Sequence, residues 1–468
     1  MKYSTFYCKY GFPLLQMVLR RPTLQMARQF KKSEYLDGKQ IRKKQLEVLK
    51  QLYRHAKNNI PFYNKKYSKL PINEINTFEE FSTLPVLDRS EVSKNYKDML
   101  AKGIHSSDVI LSRTGGSSGE PLSFYTTPHS SPLGLALMMR ARAWWDIDFN
   151  DRNALFIEHG LKFEDDLRSR FNIKIRNLRE RLLNRVFFSA YQMSPVNLKT
   201  YYDSLIKFRP VYLIGYASFL YLFAKYIQDN RLNSDTLGVR CIFYTSEMLY
   251  TWQRSVIESV FRCPVVCEYG LKEVGVVAYE CPSKNIHTMD ESVYVEVIPL
   301  EDNSRYGEIV VTQLQMSEAP FIRYRTGDLA EVVDSEKLCD CGRGLHLMGA
   351  VQGRSHDWII TPSGKTIHGQ IFTHALIVHG NVEKFRVYQS ADYSIRIEVV
   401  VNKKFNERNE RMIIENLESV ISEPIPISLH KVNDISPGNS GKFRWIKSEI
   451  GVYERPTEEK NIINKNQL

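Results

Sequence analysis

The absences narrow the class first. Hydrophobic residues make up 43% of the 468 residues, yet no apolar run approaches the roughly 20 residues needed to cross a bilayer. Gly11 to Leu19 is apolar but short, and it is interrupted by Pro13 and Gln16. Arg20 and Arg21 follow where a signal peptide would place small residues for cleavage, so a secretory signal is not expected. A packed helix is the expectation there, with peripheral membrane association through a basic helix as the alternative. Cysteine is sparse at 7 residues, which, without a secretory signal, implies reduced thiols and a cytoplasmic home. No internal repeat is evident, and there is no excess of acid. The net charge of +11 instead favours anionic partners: nucleotides, coenzyme A, anionic lipid or nucleic acid.

What is present is organised around Ser112-Arg113-Thr114-Gly115-Gly116-Ser117-Ser118-Gly119-Glu120-Pro121. Glycine lets backbone turn with positive φ and bring bare N–H groups to a ligand, and the hydroxyls add donors. No Lys-Ser or Lys-Thr follows the last glycine, so this is not a Walker A loop. Short β-type runs flank it, Val109 to Leu111 before and Leu122 to Tyr125 after. Alone, it reads as a Gly/Ser-rich hairpin turn on the surface before it reads as a ligand cradle.

Leu46, Leu49, Leu52, Tyr53 and Ala56 have helical spacing, stopped by Asn58-Asn59-Ile60-Pro61. Asp88 to Glu91 has the shape of a capping box. Residues 129–145 have helical composition, and the Arg-rich residues 161–190 read as a solvated helical insertion. From Arg209 onward, β-type runs alternate with helices, which implies an α/β fold with a parallel-type sheet covered by helices. After Gly353-Arg354 the pattern changes to hairpins and one helix at 406–422, with Met412, Ile413, Leu417, Val420 and Ile421 inward. The expected organisation is a large α/β domain over 1–355, a small mobile α+β domain over 356–455, and a disordered tail over 456–468.

Four further motifs bear on the glycine loop. Thr245-Ser246-Glu247 ends an expected strand, although Thr or Ser there is also an ordinary helix cap. Glu268-Tyr269-Gly270-Leu271-Lys272-Glu273 follows another expected strand. Its aromatic can stack on a base, and its last carboxylate can hold Mg²⁺ beside phosphates. Tyr324-Arg325-Thr326-Gly327-Asp328 places an acid after a turn, suited to two ribose hydroxyls. Pro437-Gly438-Asn439-Ser440-Gly441-Lys442 carries a lysine on a glycine-rich loop.

In this order and spacing, the motifs resemble the adenylate-forming superfamily of acyl-CoA synthetases and adenylation domains. Ile60-Pro61-Phe62-Tyr63, Leu213-Ile214-Gly215-Tyr216-Ala217-Ser218 and Cys339-Asp340-Cys341-Gly342-Arg343-Gly344 resemble its phenylacetate–CoA ligase-like branch, in particular the CapK type. The resemblance implies that Thr114, Gly115, Gly116, Ser117, Ser118 and Gly119 form the phosphate loop. It implies that Thr245, Ser246, Glu247, Tyr269 and Gly270 flank the adenine, that Glu273 holds Mg²⁺, and that Asp328 and Arg354 serve the ribose and the hinge. Lys442 would reach the carboxylate and the α-phosphate. The chain departs from the pattern at Lys272, where Thr or Ser is usual, at His356, where an acid is common, and at Glu120 beside the phosphate site.

The implied activity is ATP-dependent, AMP-forming activation of a carboxylic acid with transfer to CoA or an amine, in polysaccharide assembly or in phenylacetate-type catabolism. No nucleic acid partner is expected. Residues around 212–219 and 242–250 are candidates for the acyl pocket. From another class stands an inactive basic binding protein of the same fold. Separately, Cys281, His287, Cys339 and Cys341 supply the four ligands of a structural zinc site, or else are buried thiols beside a surface histidine.

Overall fold

Helical periodicity in the first described residues becomes α1 (Phe12–Val18), α2 (Thr23–Ser33) and α3 (Gly38–Asn59). In α3, Ile41, Gln45, Leu49, Leu52, Tyr53 and Ala56 form one buried stripe, and each large side chain contributes about 1.5–3 kcal/mol when buried. Gln45 is satisfied inside, donating to the carbonyls of Asp290 (3.0 Å) and Val293 (3.1 Å). Pro61 stops α3 and starts α4 (Pro61–Tyr67), where its missing N–H costs nothing. Two short helices follow, α5 (Phe78–Ser82) and α6 (Arg89–Asn95), the latter closed by the Asp88/Glu91 capping box.

The chain is described here by a computed structural model over residues 7–105, 107–114, 122–157, 180–190, 195–301, 304–316, 318–334, 337–354, 358–364, 366–368, 372, 375–376, 381–436 and 445–450. It divides into two units, Met1–Thr326 with Ala330–Gln352, and Gly327–Leu329 with Gly353–Leu468.

In the first unit, β1 (Ile110–Arg113) and β2 (Ser123–Thr126) form an antiparallel hairpin, and α7 (Ser130–Ala143) follows. The strands β3 (Asn153–Ile157), β4 (Arg185–Ser189), β5 (Tyr212–Tyr216), β6 (Cys241–Thr245), β7 (Val265–Leu271), β8 (Gly275–Glu280) and β9 (Ile286–Thr288) belong to one sheet. Its order is β13-β9-β8-β7-β6-β5-β3-β4, with β13 at Leu347–Met348. From β4 to β7 the neighbours are parallel, and from β7 to β13 they are antiparallel. All five residues of β5 are buried, as expected of a strand covered on both faces.

The helices α8 (Pro195–Phe208), α9 (Ala217–Asp229) and α10 (Thr251–Phe261) belong to this parallel half, whose core includes Phe156, stacked 4.6 Å from Phe219 and 5.2 Å from Phe188. A second sheet runs β10-β11-β12-β14, from Val293–Pro299, Tyr306–Gln313, Tyr324–Glu331 and Val351–Arg354.

The solvated helix expected over 161–190 does not extend to the end of that segment. Residues 185–189 are the edge strand β4, not part of a solvated helix. Arg185 lies 4.9 Å over the Phe149 ring and 3.9 Å from Glu180, so its charge is used in packing. Residues 158–179 lie outside the described residues.

The second unit contains the hairpin β15-β16 (Trp358–Ile360, Thr366–His368) and a four-stranded sheet ordered β19-β18-β17-β20. The latter is built from β17 (Val382–Gln389), β18 (Ile395–Val401), β19 (Ile427–Lys431) and β20 (Ile446–Ser448). Its helix α11 (Glu407–Ile421) is capped by Asn406, whose side chain accepts from the Arg408 and Asn409 amides. Ile413, Leu417 and Ile421 are fully buried at intervals of four. Met412 is 36% exposed, contrary to the sequence expectation, because it sits about 100° round the helix from Ile413. The Val420 side chain and the 456–468 tail lie outside the described residues.

Candidate functional site

Tyr216 and Thr245 stand at the carboxyl ends of β5 and β6, side by side with Glu268 in the middle of β7. Ligands of open α/β sheets bind at that edge. Thr245 ends β6, and Ser246 turns the chain with φ of 67°. Glu247 then points back, its Oε2 accepting the Ser218 amide at 2.8 Å, an orphan donor in the first turn of α9. The capping role weighed for this triplet thus falls to Glu247, on the preceding helix of the sheet.

The Glu268–Glu273 motif does not follow a strand, as its composition implies. Glu268 to Leu271 are the end of β7, and Lys272 and Glu273 make the turn into β8. The strands shift register between Tyr269 and Gly270. A Cβ at Gly270 would lie 2.7 Å from the Gly275 carbonyl oxygen, so only glycine fits this crossing. Tyr269 itself is 9% exposed.

Glu273 is buried at 7% exposure. Its Oε1 accepts the Tyr324 hydroxyl at 3.0 Å and lies 4.0 Å from Arg89 Nη1. Burial, with the Glu273 charge beside it, pushes the Tyr324 phenol well up, so it remains a protonated donor. The same Arg89 donates through Nη2 to Thr114 Oγ1 at 3.1 Å. Thr114 Oγ1 also accepts the Leu122 amide at 3.0 Å, and the Thr114 amide donates to the Leu122 carbonyl, closing the base of the glycine loop. Lys272 Nζ donates to the Arg113 carbonyl at 2.5 Å. The unusual lysine therefore ties the β7–β8 turn to the strand that enters the loop.

Arg89 and Tyr324 were not singled out by sequence. Arg89 is hidden inside a capping box, and Tyr324 opens a motif whose acid drew the attention. Beside Glu273 lies a cavity of about 310 Å³ lined in part by Thr127, His129, Leu133, Lys272, Gln313 and Glu318. None of its lining comes from 212–219 or 242–250.

Asp328 lies within β12 rather than after a turn, and is 8% exposed. The neighbouring Gly327 has φ of 77°. Arg354 ends β14. Gly115, Gly116, Ser117, Ser118, Gly119, His356 and Lys442 lie outside the described residues.

The structure brings the second constellation together. The ligand atoms of Cys281, His287, Cys339 and Cys341 all lie within 4.8 Å of one another. Cys281 follows β8, His287 is on β9, and the two other thiols come from the loop before β13. Cys281 Sγ is 3.6 Å from Cys339 Sγ, and Cys341 Sγ is 3.2 Å from His287 Nε2. His287 Nδ1 lies 2.9 Å from the Leu345 carbonyl, so Nδ1 holds the proton and Nε2 presents its lone pair to the thiols.

Burial pushes the Cys281 thiol up to about 12 and the His287 imidazole down to about 4. At Cys339 burial also pushes upward, but hydrogen bonds from Cys341, Asn285 and Cys281 outweigh it and the thiol is lowered. A neutral imidazole and three soft sulfurs, fully placed, fit a tetrahedral zinc ion.

The rest of the Cys-Asp-Cys-Gly-Arg-Gly stretch anchors this loop. Arg343 lies 4.6 Å over the Trp144 ring and 3.6 Å from Glu34. Gly344 donates to the Glu34 carbonyl, and a Cβ there would collide with the Leu36 carbonyl. Protein purified without chelator is expected to carry about one zinc per chain by metal analysis. Its absence would leave three buried groups and the half-buried Cys341 without a metal role.

Comparison with known proteins places this geometry. Over 93% of both chains, the structure superposes with a TM-score of 0.70 and 17% identity on a 2-hydroxyisobutyryl-CoA ligase solved in the postadenylation state with 2-HIB-AMP. The fold is thus that of the adenylate-forming ligases: a large α/β part with parallel-containing sheets and a small C-terminal part.

Within that class, residues 359–449 match the CapK C-terminal domain family. The chain is similar to CapK and to phenylacetate–CoA ligases. It is 24% identical over 417 residues to Protein CapK of Staphylococcus aureus, covering 86% of this chain and 88% of the relative. It is 22% identical over 405 residues to the phenylacetate-coenzyme A ligase of Pseudomonas putida, covering 83% and 89%.

Proposed function

We propose that the protein is an ATP-dependent, AMP-forming carboxylate ligase that passes the activated acyl group to CoA or an amine. The observation that carries this is Arg89, which joins Thr114 at the glycine loop's base to the buried carboxylate of Glu273. A hairpin with no ligand to serve has no need of a buried acid tied to its base through an arginine. The relationship to ligases supports the same reading.

ATP and a carboxylate repel one another, so the enzyme must align them and offset charge growing at the α-phosphorus. Thr114 and the amides of Gly115, Gly116, Ser117, Ser118 and Gly119 take the phosphates. Glu273 would hold Mg²⁺, whose chemistry is to withdraw charge from phosphate oxygens. It is a buried hard-oxygen donor whose two described side-chain contacts both fall on Oε1, which fits such an ion. Thr245, Ser246, Glu247, Tyr269 and Gly270 flank the adenine. Asp328 accepts from the ribose, Arg354 serves the hinge, and Lys442 reaches the reacting carboxylate.

The domains divide as 1–355 and 356–455, the second bringing Lys442. The CapK relationship favours a role in cell-surface polysaccharide assembly in the cytoplasm, over catabolism of aryl acids.

Incubation with ATP, a panel of acids, and CoA or amines tests the reading. AMP should appear together with a thioester or an amide, whichever acceptor is used. Acid-dependent ADP in place of AMP would overturn it. Glu273→Gln keeps the shape and removes the charge. It is expected to raise the half-saturating Mg²⁺ concentration at least roughly tenfold, read from the metal dependence of AMP formation.

A further inference from the structure

Helix α1 leaves most of its apolar surface open. It buries Phe12 and Gln16, one turn apart. Phe12 packs 5.7 Å from the Phe149 ring, and Gln16 Oε1 accepts the Thr23 hydroxyl at 2.8 Å. Round the rest of the helix and its C-cap, Leu14 is 56% exposed, Leu15 40%, Met17 69%, Val18 69% and Leu19 48%. Single exposed apolar residues are ordinary on a protein surface, but five in six consecutive positions form a patch that calls for a partner. The packed helix expected from the sequence is therefore packed along one strip only.

The charge around this patch is of one sign. From Met1 to Ser33 the chain has Lys2, Lys9, Arg20, Arg21, Arg28, Lys31 and Lys32, and no Asp or Glu. Well over half of the net charge of +11 resides there. Arg20, Arg21, Arg28, Lys31 and Lys32 are all exposed on or beside α1 and α2.

We propose that α1 with the start of α2 docks on the face of an anionic lipid bilayer. The apolar side chains of Leu14, Met17 and Val18 enter the acyl boundary, and Arg20 and Arg21 meet the headgroups. At about 1.5 Å per residue, seven helical residues span roughly 10 Å, so the helix lies on the membrane and does not cross it. A second copy of the chain is disfavoured as occupant, because a two-fold contact would set this cationic segment against itself. One short helix gives reversible attachment that weakens with salt. The proposal stands apart from the proposed reaction.

The test is co-sedimentation of the full chain with vesicles of phosphatidylglycerol and phosphatidylcholine, against phosphatidylcholine alone. Binding is expected to be at least about tenfold stronger to the anionic vesicles and to fall steeply with added salt. The triple substitution Leu14→Ser, Met17→Ser, Val18→Ser should weaken it by about tenfold or more. Arg20→Gln with Arg21→Gln should reduce the preference for anionic lipid several-fold. All five positions are exposed, so unchanged melting temperatures are expected and would show that both variants fold. Wild-type binding that is absent, or that the triple variant leaves unchanged, overturns the proposal. So does a concentration-dependent dimer in sedimentation velocity that the triple variant removes, since the face would then join two copies.

Discussion

Replacing Lys442 by alanine is expected to lower acid-dependent pyrophosphate exchange at least about a hundredfold, the scale on which a single electrostatic group acts in a transition state. ATP affinity should change only a few-fold. The difference follows from where the charge acts. Phosphates of bound ATP are held by the Thr114 loop and by the ion at Glu273 in the proposed site, with or without the lysine. The lysine matters when the carboxylate attacks and negative charge gathers at the α-phosphorus. Exchange kinetics with a nucleotide-binding titration on the same variant separate the two effects. Equal losses in both would make Lys442 a binding residue, and an unchanged rate would remove it from the mechanism.

Arg140→Met is expected to cost about 3–5 kcal/mol of stability, as when one partner of a buried ion pair is removed. Arg140 lies on α7, the helix that follows the glycine-loop hairpin, and its side chain is fully buried. It donates to Glu291 Oε1 at 2.6 Å, sits 3.8 Å from Glu34, and lies over the rings of Phe30 and Trp144. Methionine fills similar space but leaves Glu291 with the Ser33 hydroxyl as its remaining described side-chain partner. Burial already raises the Glu34 carboxyl in spite of Trp144, Arg140 and Arg343, so little reserve exists there. Adding Glu291→Gln should recover part of the loss, measured by chemical denaturation followed through tryptophan fluorescence. Equal stability of Arg140→Met and wild type would mean that the pair contributes nothing beyond its packing.

Arg140 also shows where sequence reading stops. The helix at 129–145 is legible from composition, but a buried arginine is not, because arginine is usually exposed. Its burial depends on Glu34 and Glu291, distant in sequence. Arg89 escaped for the same reason, since its role arises only when α6 meets the glycine hairpin. By contrast, β5 and β6 and their helices were legible, because each buried run is short and bounded by turns. The β4 error came from charge. Arg185 suggested a solvated face, yet its guanidinium stacks on Phe149. The Cys/His set was legible as ligand types, whereas its closure required β9 and β13 to pair. Asp328 was legible as an acid in a motif, but its position inside β12 was not, because glycine beside aspartate usually marks a turn.

The most direct measurement is incorporation of labelled pyrophosphate into ATP by the wild-type protein, across hexuronates, aryl acids and amino acids. The account predicts exchange that requires one class of acid and Mg²⁺, and that falls sharply in Glu273→Gln. Exchange with no acid in the panel, or exchange indifferent to Glu273, would contradict it.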